Sequence, residues 1–270
     1  MIHRVFFDLG LTLAECDTPC RYVEYFSQLG RPVALPQAQR AYHLANKYFM
    51  RERPGALGHK DEEVFRSFLH RVCQELECPQ LGDELFSLAS RDKRPPRWTA
   101  FPFTLQVLGE LRDRGVATGL ISNWDPSCRQ VLEENGLTPY LDPIVVSSEV
   151  GVEKPDRRIF EKALELSGDD PKNCLYVGDN YYDDGRGSAQ VGMTCCILNP
   201  PGRLGIEELE LPWCVPDIRG VAGVLDALET GTLDQRENTA RQRVHHTSKV
   251  SCGLEQTSIR EKIERRRRKQ

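Results

Sequence analysis

A short apolar run near the start of the chain constrains the fold more than any other feature of the sequence. Val5, Phe6 and Phe7 are consecutive apolar residues, a pattern typical of a strand buried on both faces of a parallel sheet. Asp8 follows directly, where such a strand would end. Because open α/β sheets bind ligands outside the carboxyl ends of their strands, Asp8 is predicted to lie in the ligand site if the rest of the chain is α/β. Taken alone, such an aspartate more often only ends a strand or caps a turn.

The chain after residue 97 alternates between helical and strand patterns. Helical periodicity runs from Thr104 to Arg114 and stops at Gly115, as expected for a helix that ends at glycine. Repeated alternation of strand and helix favours a parallel sheet with helices on both faces. The predicted fold class is therefore α/β, with a Rossmann-like parallel core. Strands are predicted at residues 116–121, 143–147, 174–177 and 194–198.

The residues between the first strand and this alternating region are predicted to form an all-helical insert. Apolar residues recur at helical spacing in four stretches, and Pro95 and Pro96 close the region because consecutive prolines cannot continue a helix. The predicted organisation is a core made of residues 1–13 and 98–230 with a helical domain inserted at residues 14–97.

Composition favours a globular protein of the cytoplasm. The 270 residues are 39% hydrophobic. The sequence contains no run of about 18 apolar residues, the length that a membrane-spanning helix requires. Ten cysteines are scattered without the spacing of a zinc site, and several lie in apolar runs. We therefore expect a cytoplasmic protein with reduced thiols and no transmembrane segment.

The C-terminal residues 231–270 differ in charge from the rest of the chain. They contain 11 Lys and Arg against 5 Asp and Glu, whereas the whole chain has a net charge of -4. Few apolar residues and no sustained period predict a basic, disordered tail. The tail could be a solvated extension, or it could make a weak, salt-dependent contact with nucleic acid or an anionic surface.

Polar side chains follow the predicted strands at the edge where a ligand would bind. Carboxylates gathered there repel one another unless a cation lies among them, and oxygen ligands with room for water favour Mg²⁺. A phosphate could be held by the metal ion, an ammonium, a hydroxyl and backbone amides. A carboxylate could then attack phosphorus and form an aspartyl phosphate that water removes. The residues expected to converge are Asp8, Ser122, Lys154, Asp179 and Asp184.

Four segments carry these residues, each after a predicted strand. They are FDLGLTL at residues 7–13, LISN at 120–123, EKPD at 153–156 and VGDNYYDD at 177–184. In this order they resemble the four motifs of the haloacid dehalogenase-like hydrolase superfamily, and the resemblance covers residues 1 to about 228. The helical insert resembles the C1 cap of that superfamily, which closes over the site. SSEVG at residues 147–151 and VGM at 191–193 resemble its phosphatase-like branch.

The resemblance implies a Mg²⁺ cofactor and a role for each matching residue. Asp8 would be the catalytic nucleophile, and Ser122 and Lys154 would stabilise the phosphate or the intermediate. Family spacing selects Asp184 over Asp183 as the second acid of the last motif. Substrate phosphate would be contacted by Thr12, Ser122, Asn123 and Lys154, and the metal ion would be held by Asp8, the Gly10 carbonyl, Asp179 and Asp184.

Gly10 departs from the pattern of the family's phosphatases. They usually carry a second aspartate there, as general acid for the leaving group and base for the hydrolytic water, and the next residue, a glycine in the family, is Leu11 here. Losing a positioned acid or base typically costs about 10² to 10⁴ in rate. Both steps of the reaction are therefore expected to be slower.

Several functions agree with this departure. We expect a hydrolase of a small phosphorylated metabolite, restricted to good leaving groups. The dehalogenase branch also lacks the second aspartate but needs no metal, so the retained Asp179 and Asp184 argue against it. The phosphonate-cleaving branch has a small residue at this position, keeps the metal and adds a cap lysine, for which neither Lys47 nor Lys60 can be assigned from sequence. A catalytically weakened binding or regulatory protein is the remaining alternative, and oligomeric state stays open.

Overall fold

A computed structural model describes residues 1–58 and 61–231. Residues 1–225 form one unit, and residues 226–231 are the described start of a second. The predicted basic tail therefore lies outside the described residues except for Gly231, as do His59 and Lys60. Its disorder and its contacts stay predictions.

The described residues form a six-stranded parallel sheet with the order β5-β4-β1-β6-β7-β8. Helices join the successive strands of this sheet from β1 to β7, so the predicted α/β class with a Rossmann-like core is confirmed. The chain leaves β1 toward β4 on one side and later returns to β6 on the other, which places the topological switch point at β1. The strands of the sheet are β1 Arg4–Phe7, β4 Ala117–Ser122, β5 Ile144–Val146, β6 Cys174–Gly178, β7 Thr194–Leu198 and β8 Cys214–Val215.

The apolar run at the start of the chain forms the centre of the sheet. Val5, Phe6 and Phe7 have no exposed surface, as expected for a strand covered by helices on both faces. Phe7 pairs with Leu120 of β4 and with Val177 of β6. The three central strands are therefore aligned up to Phe7, and β4 and β6 continue to Ser122 and Gly178.

The described residues contain ten α-helices. Four of them, α1–α4, fall within the predicted insert, and residues 18–91 are called the helical insert below. The helices are α1 Thr18–Gln28, α2 Leu35–Glu52, α3 Glu62–Glu75, α4 Gly82–Arg91, α5 Thr104–Asp113, α6 Cys128–Glu134, α7 Ser147–Val150, α8 Arg157–Ser167, α9 Arg186–Gln190 and α10 Val221–Thr230.

The helical insert has an apolar core of its own. Phe26, Phe49, Leu69 and Val72 from three of its helices are at most 1% exposed and pack in one cluster. Asp61 caps α3 by accepting hydrogen bonds from the amides of residues 63 and 64, which stabilises the first turn of the helix. The four predicted helices are thus present, and their separation from the body as a cap domain stays a prediction.

Two short strands join the helical insert to the body, and the sequence did not predict them. β2 Ala14–Cys16 pairs antiparallel with β3 Trp98–Ala100, so both chain connections pass through one ribbon. Three-residue strands are too short to show a period of two. The ribbon places Trp98 beside the loop that follows β1.

The loop between β7 and β8 packs against α2 of the helical insert. Met50 lies in an apolar cluster with Ile206 and Leu209, and His43 Nε2 lies 3.0 Å from the carbonyl oxygen of Leu204. This contact directs one face of α2 toward the carboxyl ends of the strands. In the described part of the chain, no helix combines the length and apolarity that a membrane span requires.

Candidate active site

Asp8 lies at the carboxyl end of β1. Its amide donates to the carbonyl of Val177 at 2.9 Å, so the hydrogen-bond ladder between β1 and β6 continues to this residue. At the end of the neighbouring strand β4, the Ser122 hydroxyl donates to Asp8 Oδ1 at 2.8 Å. Parallel strands that end at one edge thus bring together two motifs far apart in sequence.

Lys154 supplies a buried positive charge to the site. Its side chain is 4% exposed, and its Nζ lies 2.9 Å from Asp8 Oδ1 and 2.6 Å from Asp184 Oδ1. The ammonium also donates to the Tyr176 hydroxyl at 3.0 Å, and that hydroxyl donates to the carbonyl of Ile121 at 2.8 Å. A buried charge is tolerated only with such partners.

The charges of the site shift the pKa values of Asp8 and Lys154 in the same direction. The pKa of Asp8 is raised to about 6, mainly by burial and also by Asp184 and Asp179, against the opposing effect of Lys154. Burial lowers the pKa of Lys154, but Asp184 and Asp8 outweigh it and hold that pKa well above its usual value. Burial is thus the main cause of the Asp8 shift, whereas the neighbouring carboxylates cause the Lys154 shift. Lys154 therefore stays charged, whereas Asp8 ionises near neutral pH.

Asp184 is fully buried and is held by the backbone after β6. A π-helical turn spans Tyr181–Gly185, a local widening that is frequent at functional sites. The amide of Asn180 donates to Asp184 Oδ2 at 2.9 Å. A Cβ at Gly178 would lie 2.1 Å from that same oxygen. Glycine is required at position 178 because any side chain would displace the Asp184 carboxylate.

Among the described residues, three carboxylates are grouped as a metal ion would require. Asp8, Asp179 and Asp184 each offer an oxygen, and these oxygens lie within 4.8 Å of one another. Opposite ligands of an octahedral Mg²⁺ lie about 4 Å apart, so the set fits this ion after small side-chain movements. Asp183 is engaged differently, since its Oδ2 accepts from Asn180 Nδ2 at 2.6 Å and burial raises its pKa to about 7.

A lysine of the helical insert also reaches the site, and sequence analysis did not assign it. Lys47 of α2 is 4% exposed. Its Nζ donates to the backbone carbonyl of Asp179 and lies 3.1 Å from Asp179 Oδ2. The signal in the sequence is the spacing of His43, Lys47 and Met50 at i, i+4 and i+7, which places them on one helix face. That face packs against the body rather than into the core of the insert.

Asn123, Thr12 and Gly10 are the other three residues of the predicted site. Both polar groups of the Asn123 amide bind the backbone of Lys154, at 2.7 and 2.9 Å, so Asn123 fixes the loop that carries the lysine. Thr12 is 1% exposed, and its hydroxyl has no hydrogen-bond partner within the described residues. The roles of both in phosphate binding, and that of the Gly10 carbonyl in metal binding, stay predictions.

Two indole rings lie where a side chain at position 10 would point. A Cβ on Gly10 would lie 3.2 Å from Trp124 Cζ3 and 3.3 Å from Trp98 Cη2. The two rings contact edge to face, with centroids 4.7 Å apart. The next residue, Leu11, has a φ of 56°, a left-handed conformation that favours glycine and strains a leucine. Leu11 thus adopts a conformation that suits the glycine expected at this position.

Comparisons with known proteins agree with this geometry. The family model described as haloacid dehalogenase-like hydrolase matches residues 20–192, more than half of the chain. The human protein "haloacid dehalogenase-like hydrolase domain-containing protein 3" is 32% identical over 141 residues, which are 51% of this chain and 56% of that protein. A phosphoserine phosphatase of Thermus thermophilus is 35% identical over 159 residues, which are 58% of this chain and 60% of that protein.

A solved structure extends the similarity to the fold. The HAD phosphatase of Thermococcus onnurineus superposes with a TM-score of 0.51 at 21% identity, covering 83% of this chain and 98% of that chain. The chain spans 56% and 60% of the lengths of these two curated relatives. Motif order, site geometry and family model agree, and the chain belongs to the haloacid dehalogenase-like hydrolase family.

Proposed function

We propose that this protein is a Mg²⁺-dependent phosphatase that transfers the phosphoryl group of a small substrate to Asp8. The observation that carries the proposal is the position of the Asp8 carboxylate, within 2.9 Å of both the Ser122 hydroxyl and the Lys154 ammonium and beside two further carboxylates. Relatives named as phosphatases, including the Thermus protein, support the same class.

Each side chain has a separate role in the proposed reaction. The Asp8 carboxylate forms a bond to phosphorus, and the bond from phosphorus to the leaving oxygen breaks with its electron pair on that oxygen. Lys154 and Ser122 stabilise the negative charge of the phosphoryl oxygens. Asp179 and Asp184, with Asp8, would hold Mg²⁺, which lowers the repulsion between the anionic nucleophile and the phosphate. Water then attacks phosphorus and releases Asp8 and inorganic phosphate.

The absence of a proton donor at Gly10 should appear as a strong dependence of rate on the leaving group. An alcohol leaves as an alkoxide unless it is protonated, whereas acetate needs no proton. We expect turnover to fall from acetyl phosphate to para-nitrophenyl phosphate to a sugar phosphate, by about 10² or more across the series. Steady-state rates with Mg²⁺ measure this. Equal rates on all three would contradict this role of Gly10.

The same experiment includes two variants. Gly10→Asp alone should restore little activity, because its Cβ would contact Trp98 and Trp124 at 3.2 to 3.3 Å. Gly10→Asp with Trp98→Ala provides space for the new side chain, and we expect it to raise turnover of the sugar phosphate more than that of acetyl phosphate. If no substrate is turned over in an Asp8-dependent manner, the protein is a binding or regulatory member of the family.

Lys47 supports a second candidate, the cleavage of a phosphonate that carries a carbonyl group. Its amine could condense with the carbonyl and release water to form an imine. The Asp8 carboxylate would then form a bond to phosphorus as the carbon–phosphorus bond breaks. The electron pair of the broken bond would move toward the imine nitrogen and form an enamine. Gly10 fits this reaction, since carbon rather than oxygen leaves. The position of Lys47 beside Asp179, 3.1 Å from its carboxylate, is the observation that favours it.

Borohydride trapping tests this second candidate. With 2-oxoethylphosphonate, reduction of the imine should attach the two-carbon unit to Lys47 irreversibly, which mass spectrometry of peptides detects. Lys47→Met should lose the adduct and the release of phosphate from the phosphonate. Lys162→Met alters an exposed lysine paired with Glu165 and should change neither. An adduct that persists in Lys47→Met would exclude this mechanism.

A further inference from the structure

The indole rings of Trp98 and Trp124 suggest which phosphate esters the site accepts. Both rings are partly exposed, and both lie at the position toward which residue 10 points. Residue 10 follows Asp8 by two positions, and Trp124 follows Ser122 by two positions. The rings therefore lie beside the chain segments that directly follow the nucleophile and its hydroxyl partner.

Hydrogen bonds hold the Trp124 ring and the backbone of both tryptophans. The amide of Trp124 donates to the Ser147 hydroxyl at 3.1 Å, and its indole Nε1 donates to the Ser127 hydroxyl at 3.1 Å. Trp98 belongs to β3, and its carbonyl accepts from Asn135 Nδ2 at 3.2 Å. Each ring thus has a fixed backbone anchor, and the pair contacts edge to face. A ligand ring can pack on such a surface without ordering it first.

Two independent observations point to one class of leaving group. The missing proton donor at Gly10 favours an oxygen that leaves as an anion, and a phenol, with a pKa near 10, does so far more readily than an aliphatic alcohol. The indole pair favours a planar aromatic group, since aromatic rings attract one another in stacked and edge-to-face arrangements. An aryl oxygen satisfies both conditions, whereas an acyl phosphate satisfies only the first and a sugar phosphate satisfies neither.

We propose that Trp98 and Trp124 form the leaving-group subsite and select phosphate monoesters of aromatic alcohols. This inference rests on the proposed phosphatase function and names its substrate class. In the reaction, Asp8 forms its bond to phosphorus and the aryl oxygen departs with the electron pair as a phenolate. The phenolate takes its proton from solvent after release.

Phosphonates have no oxygen leaving group and cannot transfer phosphate through one. Their binding therefore tests the subsite separately from catalysis. Isothermal titration calorimetry with Mg²⁺ compares phenylphosphonate with ethylphosphonate on the full chain. We expect phenylphosphonate to bind about fivefold to tenfold more tightly. Trp98→Leu and Trp124→Leu should each remove most of this preference and leave the affinity for ethylphosphonate within about twofold.

Trp213 offers a matched control, since it is the third tryptophan of the chain. Its carbonyl accepts from Ile197, at the β7–β8 side of the sheet, and Trp213→Leu should keep the preference. Trp98→Phe and Trp124→Phe keep an aromatic ring if the leucine variants do not fold, and they should retain an intermediate preference. In kinetics, kcat/KM for phenyl phosphate relative to acetyl phosphate should fall by the same factor in the leucine variants.

The outcomes separate the subsite from the phosphatase function. Equal binding of the two phosphonates, or a preference that survives in both leucine variants, would overturn the subsite even if acetyl phosphate is hydrolysed. A tryptophan-dependent preference without any Asp8-dependent turnover would support the subsite and overturn the phosphatase. Failure of both phosphonates to bind, together with turnover of acetyl phosphate, would also overturn the aromatic subsite.

Discussion

Replacing Asp8 with asparagine is expected to abolish turnover of every phosphate ester and to stabilise the metal-free protein. Loss of the nucleophile should reduce kcat by at least about 10⁴-fold. The stability gain follows from the pKa of Asp8, which burial raises from 3.8 to about 6. A carboxyl group whose pKa is higher in the folded state costs stability once it ionises there. That cost is absent below about pH 4, grows as the pH rises, and is complete above about pH 6.

Asparagine removes this cost because it carries no charge at any pH. The Asp8→Asn variant should therefore exceed the wild type in free energy of unfolding by up to about 3 kcal/mol at pH 8, with little difference at about pH 3.5. Thermal unfolding in EDTA at several pH values measures the trend. Asp156 is the control, since Arg158 holds its pKa at about 2, and Asp156→Asn should show the opposite sign. A gain that does not depend on pH would contradict the assignment of charge to Asp8.

Replacing Lys154 with methionine should have the largest effect on stability. The ammonium is buried between Asp8 and Asp184, at 2.9 and 2.6 Å, and methionine would leave two acidic groups without their cation. Breaking a buried ion pair on one side costs about 3–5 kcal/mol. At about 2–4 °C per kcal/mol for a chain of this size, the Tm of the metal-free variant should fall by roughly 6–20 °C. Activity should fall by at least about 10²-fold, since a group that stabilises phosphoryl charge is lost.

Mg²⁺ distinguishes this electrostatic cost from a simple loss of packing. If the missing charge is the cause, millimolar Mg²⁺ should restore part of the lost Tm in Lys154→Met, and the gain should exceed that of the wild type. Lys162→Met, at an exposed pair with Glu165, should change stability by less than about 1 kcal/mol. An unchanged Tm for metal-free Lys154→Met would show that the Asp8 and Asp184 charges are balanced by another group.

Much of the fold followed from local patterns. The buried run at Val5, Phe6 and Phe7 predicted a central strand, and the strand ends predicted which polar side chains meet, because parallel strands end at one edge of a sheet. These predictions needed only periodicity and the order of the elements. The ribbon of β2 and β3 was missed, since three residues cannot display a strand period and the pairing partners are more than 80 positions apart.

The parts of the site that could not be predicted depend on contacts between distant segments. Lys47 reaches Asp179 only because α2 packs against the loop between β7 and β8, a docking that no local pattern specifies. The pairing of Trp98 with Trp124 likewise requires the ribbon and the end of β4 to meet. The sequence predicted a consequence of Gly10 for proton transfer, which stays a prediction, and the two indoles beside Gly10 required coordinates.

The two lysines that meet the acidic group from opposite sides give this protein internal counterions. Lys154 comes from the body and Lys47 from the helical insert, and each neutralises a carboxylate that a divalent ion would otherwise have to balance. We therefore expect folding not to require the metal ion, in contrast to small zinc domains that unfold when their ion is withdrawn. Magnesium depletion should consequently abolish activity and leave the fold intact. Activity could then return when magnesium is supplied again, without synthesis of new protein.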